Sequence, residues 1–126
     1  MKSILAVGFG AMIGAMLRFL ILDNFKATAP WTVAFINITG SFALGFLTGF
    51  LTGRIHRDDP WRLFLGTGLM GGYTTYSTFS MDVVHQLQEK QVVPAIANVT
   101  IQTVGSIALC AVGFVLGRKL NPAPAS

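Results

Sequence analysis

The polar side chains of this sequence that could do chemistry lie inside long apolar runs. Asn37 and Ser41 are four residues apart, which places them on one face of a helix. The same spacing recurs later in the chain at Asn98, Gln102 and Ser106. An amide in apolar surroundings is costly unless it is paired or hydrated. Each of these faces indicates either hydrogen bonding between packed helices or a polar pathway.

The densest polar cluster is the segment 71–80, whose sequence is GGYTTYSTFS. Gly and Thr are poor helix formers, and Ser and Thr compete for backbone hydrogen bonds. Irregular backbone at membrane depth persists only where it is buried in protein or lines a cavity, and transport proteins use such breaks to bind ions. The segment therefore predicts a helix broken near the midplane of the membrane. Because the two amide-bearing faces would accompany such a break, they favour a polar pathway.

Two aromatic residues of this segment, Tyr76 and Phe79, are three apart and share a face if the chain after the break is helical. The edges of aromatic rings carry partial positive charge, which suits an anion. The alternative for such a pair, standing alone, is ordinary core packing.

Ionisable side chains are almost absent from the apolar runs. Arg18 lies one turn from the end of the first run, where it either extends to the membrane interface or forms an electropositive vestibule that attracts anions. No Asp or Glu lies within any run, whereas an exporter of cationic drugs needs a buried carboxylate. No pair of nucleophile and base can be assembled, so the sequence does not predict an enzyme.

The elements that must position these residues follow from composition. The 126 residues are 52% hydrophobic and 11% charged, whereas soluble domains carry about 25% charged residues. Four apolar runs cover 3–22, 32–53, 63–81 and 92–117. Each is long enough to cross a bilayer as a helix, which needs about 20 residues. The sequence therefore predicts an all-α membrane protein, a single transmembrane domain over 1–126 with four spans.

Glycines at four-residue spacing indicate close helix contacts. Gly45, Gly49 and Gly53 predict a contact face on the second span, because small residues let backbones approach in lipid. The pairs Gly10/Gly14 and Gly113/Gly117 are equally consistent with glycine being common in membrane helices. Since four spans alone bury little polar surface, we expect at least a dimer.

The net charge of +4 is spread over loops and ends without a basic run, which argues against nucleic-acid binding.

An even number of spans places both termini on one side of the membrane. That side carries six basic residues: Lys2, Arg54, Arg57, Arg62, Arg118 and Lys119. The other side carries three: Arg18, Lys26 and Lys90. This modest bias favours both termini in the cytoplasm.

Motifs in all four runs resemble the CrcB/Fluc family of fluoride channels. They are GAMIGAMLR at 10–18, NITGSFALG at 37–45, GLMGGYTTYSTFS at 68–80, and the pair GS at 105–106, one turn after Gln102. The resemblance implies an antiparallel, dual-topology dimer with two pores, surrounded by lipid in the bacterial inner membrane. It also implies passive export that lowers cytoplasmic fluoride.

The resemblance further implies roles for particular residues. Those matching the ion pathway are Asn37, Ser77, Thr78, Ser106 and the aromatic pair Tyr76 and Phe79, together with Gln102 beside them. The backbone carbonyls of Gly71 and Thr74 from both subunits would hold a buried structural Na⁺. The sequence departs from the family at Tyr76, where Phe is usual, at Gln102, where relatives carry other hydrogen-bonding residues, and at Asp82, where Glu is usual.

The main hypothesis is therefore a fluoride-selective channel that works as a homodimer, with a paralogous subunit as the alternative partner. Two other hypotheses are a small four-span multidrug exporter, disfavoured by the missing carboxylate, and a non-conducting accessory subunit, disfavoured by the polar third span.

Overall fold

The computed structural model describes residues 1–28, 30–56 and 58–121. Arg57, one of the residues in the charge comparison, lies outside this part of the chain. In the described residues all regular structure is helical. The helices are α1 (Lys2–Asn24), α2 (Trp31–Leu51), α3 (60–73), α4 (Tyr76–Gln88) and α5 (Val92–Leu120), with a short 3₁₀ turn at Lys26–Thr28.

Three of the described helices, α1, α2 and α5, are long and apolar enough to cross a membrane. Each begins and ends within three residues of a predicted run. In α5, Pro94 falls in the first turn, where its missing N–H costs no helical hydrogen bond. These helices confirm an all-helical protein that crosses the membrane more than once.

The third predicted run is divided between α3 and α4. Helix α3 consists of Pro60–Arg62, a π-helical stretch at Leu63–Met70 and Gly71–Tyr73. It begins at Asp59, whose carboxylate accepts the Trp61 N–H at 2.9 Å. The fourth crossing that the sequence predicts would be made by this interrupted segment, and it stays a prediction.

The interruption, which we call the break, consists of Thr74 and Thr75, both with extended backbone. An irregular point in this segment was predicted, but the glycine pair before it is not that point. Gly71 and Gly72 are helical. A Cβ on Gly72 would strike the carbonyl oxygen of Ala11 in α1, so this glycine permits close packing.

Glycines also set the contact between α2 and α5. A Cβ on Gly45 would strike the carbonyl oxygen of Cys110, and one on Gly113 would strike that of Phe42. Gly49 and Gly117 repeat these close approaches one turn further along the two helices. The predicted face at Gly45 and Gly49 is therefore real, and the pair Gly113/Gly117 belongs to the same contact.

The third glycine of the predicted face does not take part in it. Gly53 lies beyond the end of α2 with φ of 80°, a left-handed conformation that glycine adopts without steric cost. Its role is to end the helix, which explains why the four-residue spacing extends past the contact face.

Helices α1 and α3 meet in the same manner. A Cβ on Gly10 would strike the carbonyl oxygen of Phe64, and one on Gly14 would strike that of Leu69. The chain is thus built from two closely packed helix pairs, α1 with α3 and α2 with α5. The break lies where these pairs meet, because α2 contacts the end of α3.

Candidate functional site

The break is held by the amide of Asn37, which projects from the middle of α2. Its Nδ2 donates to the Thr75 carbonyl oxygen at 2.9 Å, and its Oδ1 accepts the Thr75 N–H at 2.8 Å. One side chain therefore satisfies both backbone groups of an extended residue that has left the helical hydrogen-bond pattern. Buried backbone groups need such partners.

The close approach of α2 to the break depends on Gly40, almost one turn after Asn37. A Cβ on Gly40 would strike the Thr74 methyl group and lie 3.0 Å from the Tyr73 ring. A larger residue at position 40 would push the break away from the amide that holds it.

The hydroxyls of the polar cluster cap the first turn of α4. Thr75 Oγ1 accepts the Thr78 N–H at 3.3 Å and donates to Thr78 Oγ1 at 3.2 Å. Ser77 Oγ lies 3.3 Å from the same Thr75 oxygen. The structure thus places the predicted pathway residues Ser77 and Thr78 at the N-terminus of α4, with both hydroxyls on Thr75.

A chain of amides leads from the break into the subunit. Asn37 Nδ2 also donates to Gln102 Oε1 at 2.6 Å, and Gln102 Nε2 donates to Asn98 Oδ1 at 2.7 Å. Asn98 Nδ2 in turn donates to Gln86 Oε1 at 3.1 Å. Asn98 is fully buried, and Gln102 and Gln86 are 4% and 6% exposed. We call Asn37, Gln102, Asn98 and Gln86 the amide chain.

Gln86 is the member of this chain that the sequence analysis missed. It lies in α4 beyond the limit of the third apolar run, and so it was not counted among the polar residues inside the spans. A usable signal was its spacing of seven residues from Phe79, which places both on one face of a helix.

The predicted aromatic pair makes contact, but its two members differ in burial. The Tyr76 and Phe79 rings lie 5.6 Å apart in an edge-to-face arrangement at 71°. Phe79 is 8% exposed, whereas Tyr76 is 80% exposed on the surface of the subunit. Tyr76 is therefore available to a neighbouring molecule.

Next to the break, a groove of about 290 Å³ opens on the surface of the chain. It is lined by Asn37, Ser41, Thr74, Thr75, Tyr76, Phe79, Gln102, Thr103, Ser106 and Ile107. The structure brings the two predicted polar faces together here, since Ser41 comes from α2 and Ser106 from α5. Among the described residues that line it, none is Asp, Glu, Lys, Arg or His.

Arg18 reaches the break from α1. Its Nη1 donates to the Thr74 carbonyl oxygen at 3.3 Å, and the side chain is half-buried. Positive charge is thereby placed at the break. Its predicted role in a vestibule stays a prediction.

The carbonyls of Gly71 and Thr74 have the chemistry that a structural Na⁺ would require. The Thr75 N–H is used by Asn37, so the Gly71 carbonyl does not receive its usual helical hydrogen bond. The Thr78 N–H is likewise used by Thr75 Oγ1, which leaves the Thr74 carbonyl with Arg18 as its donor. The Gly71 carbonyl oxygen, freed from its helical hydrogen bond, is an apt ligand for a hard cation, whereas the Thr74 carbonyl would have to exchange Arg18 for such an ion.

Asp82 lies within α4 and is half-buried. Its Oδ2 is buried and has no hydrogen-bond partner among the described residues.

The apolar helices and the interrupted segment define a multi-pass membrane protein with a neutral polar groove. A family model described as "CrcB-like protein, Camphor Resistance (CrcB)" matches residues 5–114. The chain belongs to this family.

Curated relatives match most of the chain. A protein of Rhizobium meliloti named "Fluoride-specific ion channel FluC" is 36% identical, covering 95% of this chain and 99% of the relative. One of Ruminiclostridium cellulolyticum with the same name is 39% identical over 100% of this chain and 97% of the relative. "Fluoride-specific ion channel FluC 1" of Listeria monocytogenes is 52% identical over 60% of this chain and 64% of the relative.

Proposed function

We propose that this chain is the subunit of a fluoride-selective channel that lets fluoride leave the cytoplasm passively. Family membership and the names of the relatives support this proposal. The observation in the structure that carries it is the groove at the break, where Asn37 fixes the backbone and the lining is neutral and polar.

The groove offers an anion several weak partners and no fixed negative charge. The Ser106 hydroxyl lines it, as do the Phe79 and Tyr76 rings, whose edges are partly positive. The Ser41 hydroxyl donates to the Asn37 backbone carbonyl at 2.7 Å and would have to exchange this bond to donate to an anion. A selectivity filter works by replacing the hydration shell of an ion with such groups at close range. The lining is unsuited to the cation of a drug exporter, which needs a buried carboxylate.

Asn37 acts in this pathway chiefly by holding the break. Both of its N–H groups are engaged, one with the Thr75 carbonyl and one with Gln102. A direct hydrogen bond from Asn37 to fluoride would require one of these bonds to be exchanged for the ion. The predicted pathway residues Ser77 and Thr78 lie at the start of α4, where both hydroxyls contact Thr75 Oγ1, and neither lines the groove.

We further propose that the working unit is an antiparallel homodimer with four spans in each subunit, the third made of α3 and α4. The groove is open on one side, so one subunit provides only part of a pore wall. The exposed Tyr76 ring at its rim would be covered by a second copy. A paralogous subunit could cover the same surface.

The carbonyls of Gly71, an exposed residue, and of Thr74 would hold Na⁺ between the two copies. When bound, the ion would supply positive charge near the anion path and join the two interrupted helices. We place the assembly in the bacterial inner membrane.

The test is ion efflux from liposomes that contain the purified chain, loaded with fluoride or with chloride at neutral pH. A potassium ionophore balances the charge, and protein-free liposomes report the leak. We expect rapid fluoride efflux with chloride efflux near the leak. Absence of fluoride efflux, or equal efflux of the two anions, would overturn the proposal.

A further inference from the structure

The amide chain has one direction from end to end. Each amide donates its NH₂ to the oxygen of the next, from Asn37 to Gln102, from Gln102 to Asn98, and from Asn98 to Gln86. The chain joins three helices, because Asn37 lies in α2, Gln102 and Asn98 lie in α5, and Gln86 lies in α4. It therefore returns to the half-helix that begins at the break.

The break fixes the direction at the first member. Thr75 presents a carbonyl oxygen and an N–H to the same side chain, so a flipped Asn37 amide would face donor with donor and acceptor with acceptor. Since Asn37 cannot flip, Gln102 must present its oxygen to Asn37. In a flipped Gln102, the NH₂ group would face the NH₂ group of Asn37, and no hydrogen bond could form between them.

The far end of the chain continues the same direction. Gln86 Oε1 accepts from Asn98 Nδ2, which leaves Asn98 Oδ1 facing Gln102. Without this acceptor, the buried Asn98 NH₂ loses its partner in α4. Turning Asn98 would not restore a partner, because its NH₂ would then face the NH₂ of Gln102. Networks of this kind are sensitive to the loss of any member.

We propose that Gln86 and Asn98 are positioning residues of the ion pathway. They hold the Gln102 amide so that its oxygen faces Asn37 and its side chain stays in the wall of the groove. Neither Gln86 nor Asn98 lines the groove, so they act on the pathway through Gln102. This inference rests on the proposed channel function.

The test replaces Gln86 by methionine, which has nearly the same shape but lacks the amide. The matched control is Gln88→Met, because Gln88 is an exposed residue two positions further along the same helix. Three quantities are measured for the full-length protein: the fluoride efflux rate per folded channel, the unfolding temperature in detergent and the NMR signal of the Asn37 side-chain NH₂.

We expect Gln86→Met to lower the efflux rate about five- to tenfold, which corresponds to the loss of one buried hydrogen bond. The Asn37 NH₂ signal should shift or broaden, and the control should change neither quantity. The double variant Gln86→Met/Gln102→Met should lose no more flux than the larger single effect, because the two residues act through one chain.

The inference is overturned if Gln86→Met leaves both the flux per folded channel and the Asn37 signal unchanged while only the unfolding temperature falls. It is also overturned if the effects of the two substitutions multiply. Should the native protein itself conduct no fluoride, the proposed function fails. The Asn37 signal would still show whether Gln86 controls the orientation of the amides.

Discussion

Replacing Asn37 by aspartate should abolish fluoride conduction. The substitution keeps the shape of the side chain and the oxygen that accepts the Thr75 N–H at 2.8 Å. It removes the NH₂ that donates to the Thr75 carbonyl and to Gln102 Oε1. Both contacts then place oxygen against oxygen, and a negative charge is added beside the groove.

The two effects have different sizes and act on different properties. Loss of two buried hydrogen bonds costs about 1 kcal/mol each, which weakens the hold on the break. The new carboxylate would repel an anion about 5 Å away by about 3 kcal/mol at an effective dielectric constant of about 20, or a rate factor on the order of 100. The added charge therefore accounts for the expected loss of conduction, and the two lost hydrogen bonds account for the expected loss of stability.

The assay is fluoride efflux from liposomes with equal amounts of folded channel. The matched control is Asn24→Asp, because Asn24 undergoes the same chemical change at the exposed end of α1. We expect efflux to fall at least about 100-fold for Asn37→Asp, because the added carboxylate repels the anion, and to stay native for the control. Efflux of the Asn37 variant within threefold of native would refute the reasoning, because the added charge would then lie outside the path.

Three further substitutions test the other parts of the site. Gly113→Ala should lower the free energy of unfolding by about 1–3 kcal/mol, because its Cβ meets the α2 backbone. The control Gly8→Ala, with open space around the new methyl group, should be neutral or stabilising. Equal unfolding temperatures of the two variants would contradict this. Thr75→Val should lower the free energy of unfolding by about 1 kcal/mol, because α4 loses its cap, and should also reduce fluoride efflux. The control is Thr100→Val at an exposed position. Unchanged stability of Thr75→Val would show that the cap contributes nothing. Tyr76→Phe keeps the ring edge and should conduct fluoride at least as fast as native, so a large loss of efflux would show that the hydroxyl takes part.

The positions of the helices could be predicted because their cause is contained in the sequence. A run of about 20 apolar residues without charge has few alternatives to a membrane helix. The break could be predicted from the polar segment 71–80, but its exact position could not. Glycine both disfavours helices and permits their close packing, and the sequence does not show that Ala11 faces Gly72.

The composition of the site was predictable to the extent that helical spacing defines it. Asn37 and Ser41 share one face of α2, as Gln102 and Ser106 share one face of α5, and the structure brings these faces together. The contact of Arg18 with the break and the place of Gln86 in the amide chain depend on how separate helices pack. Spacing along a single helix carries no information about that packing.

Breaking the helix costs free energy, because backbone groups lose their helical hydrogen bonds. The groups that find no new partner in the chain indicate which surface a second copy would cover. An extended residue in an apolar medium leaves backbone groups that need partners. Asn37 satisfies both backbone groups of Thr75, and Arg18 donates to the carbonyl of Thr74. Two polar side chains are thus needed to satisfy the backbone of two residues.

The Gly71 carbonyl receives no such partner from the interrupted helix, and both Gly71 and the Tyr76 ring are exposed. A continuous helix would give the Gly71 carbonyl its usual hydrogen bond, so we infer that this carbonyl serves an assembly larger than one chain. The surface around Gly71 and Tyr76 is therefore where we expect a second copy to pack. Disulfide cross-linking between cysteines introduced on this surface, in a Cys110→Ser background, should trap a dimer in membranes, and failure to trap one would place the subunit contact elsewhere.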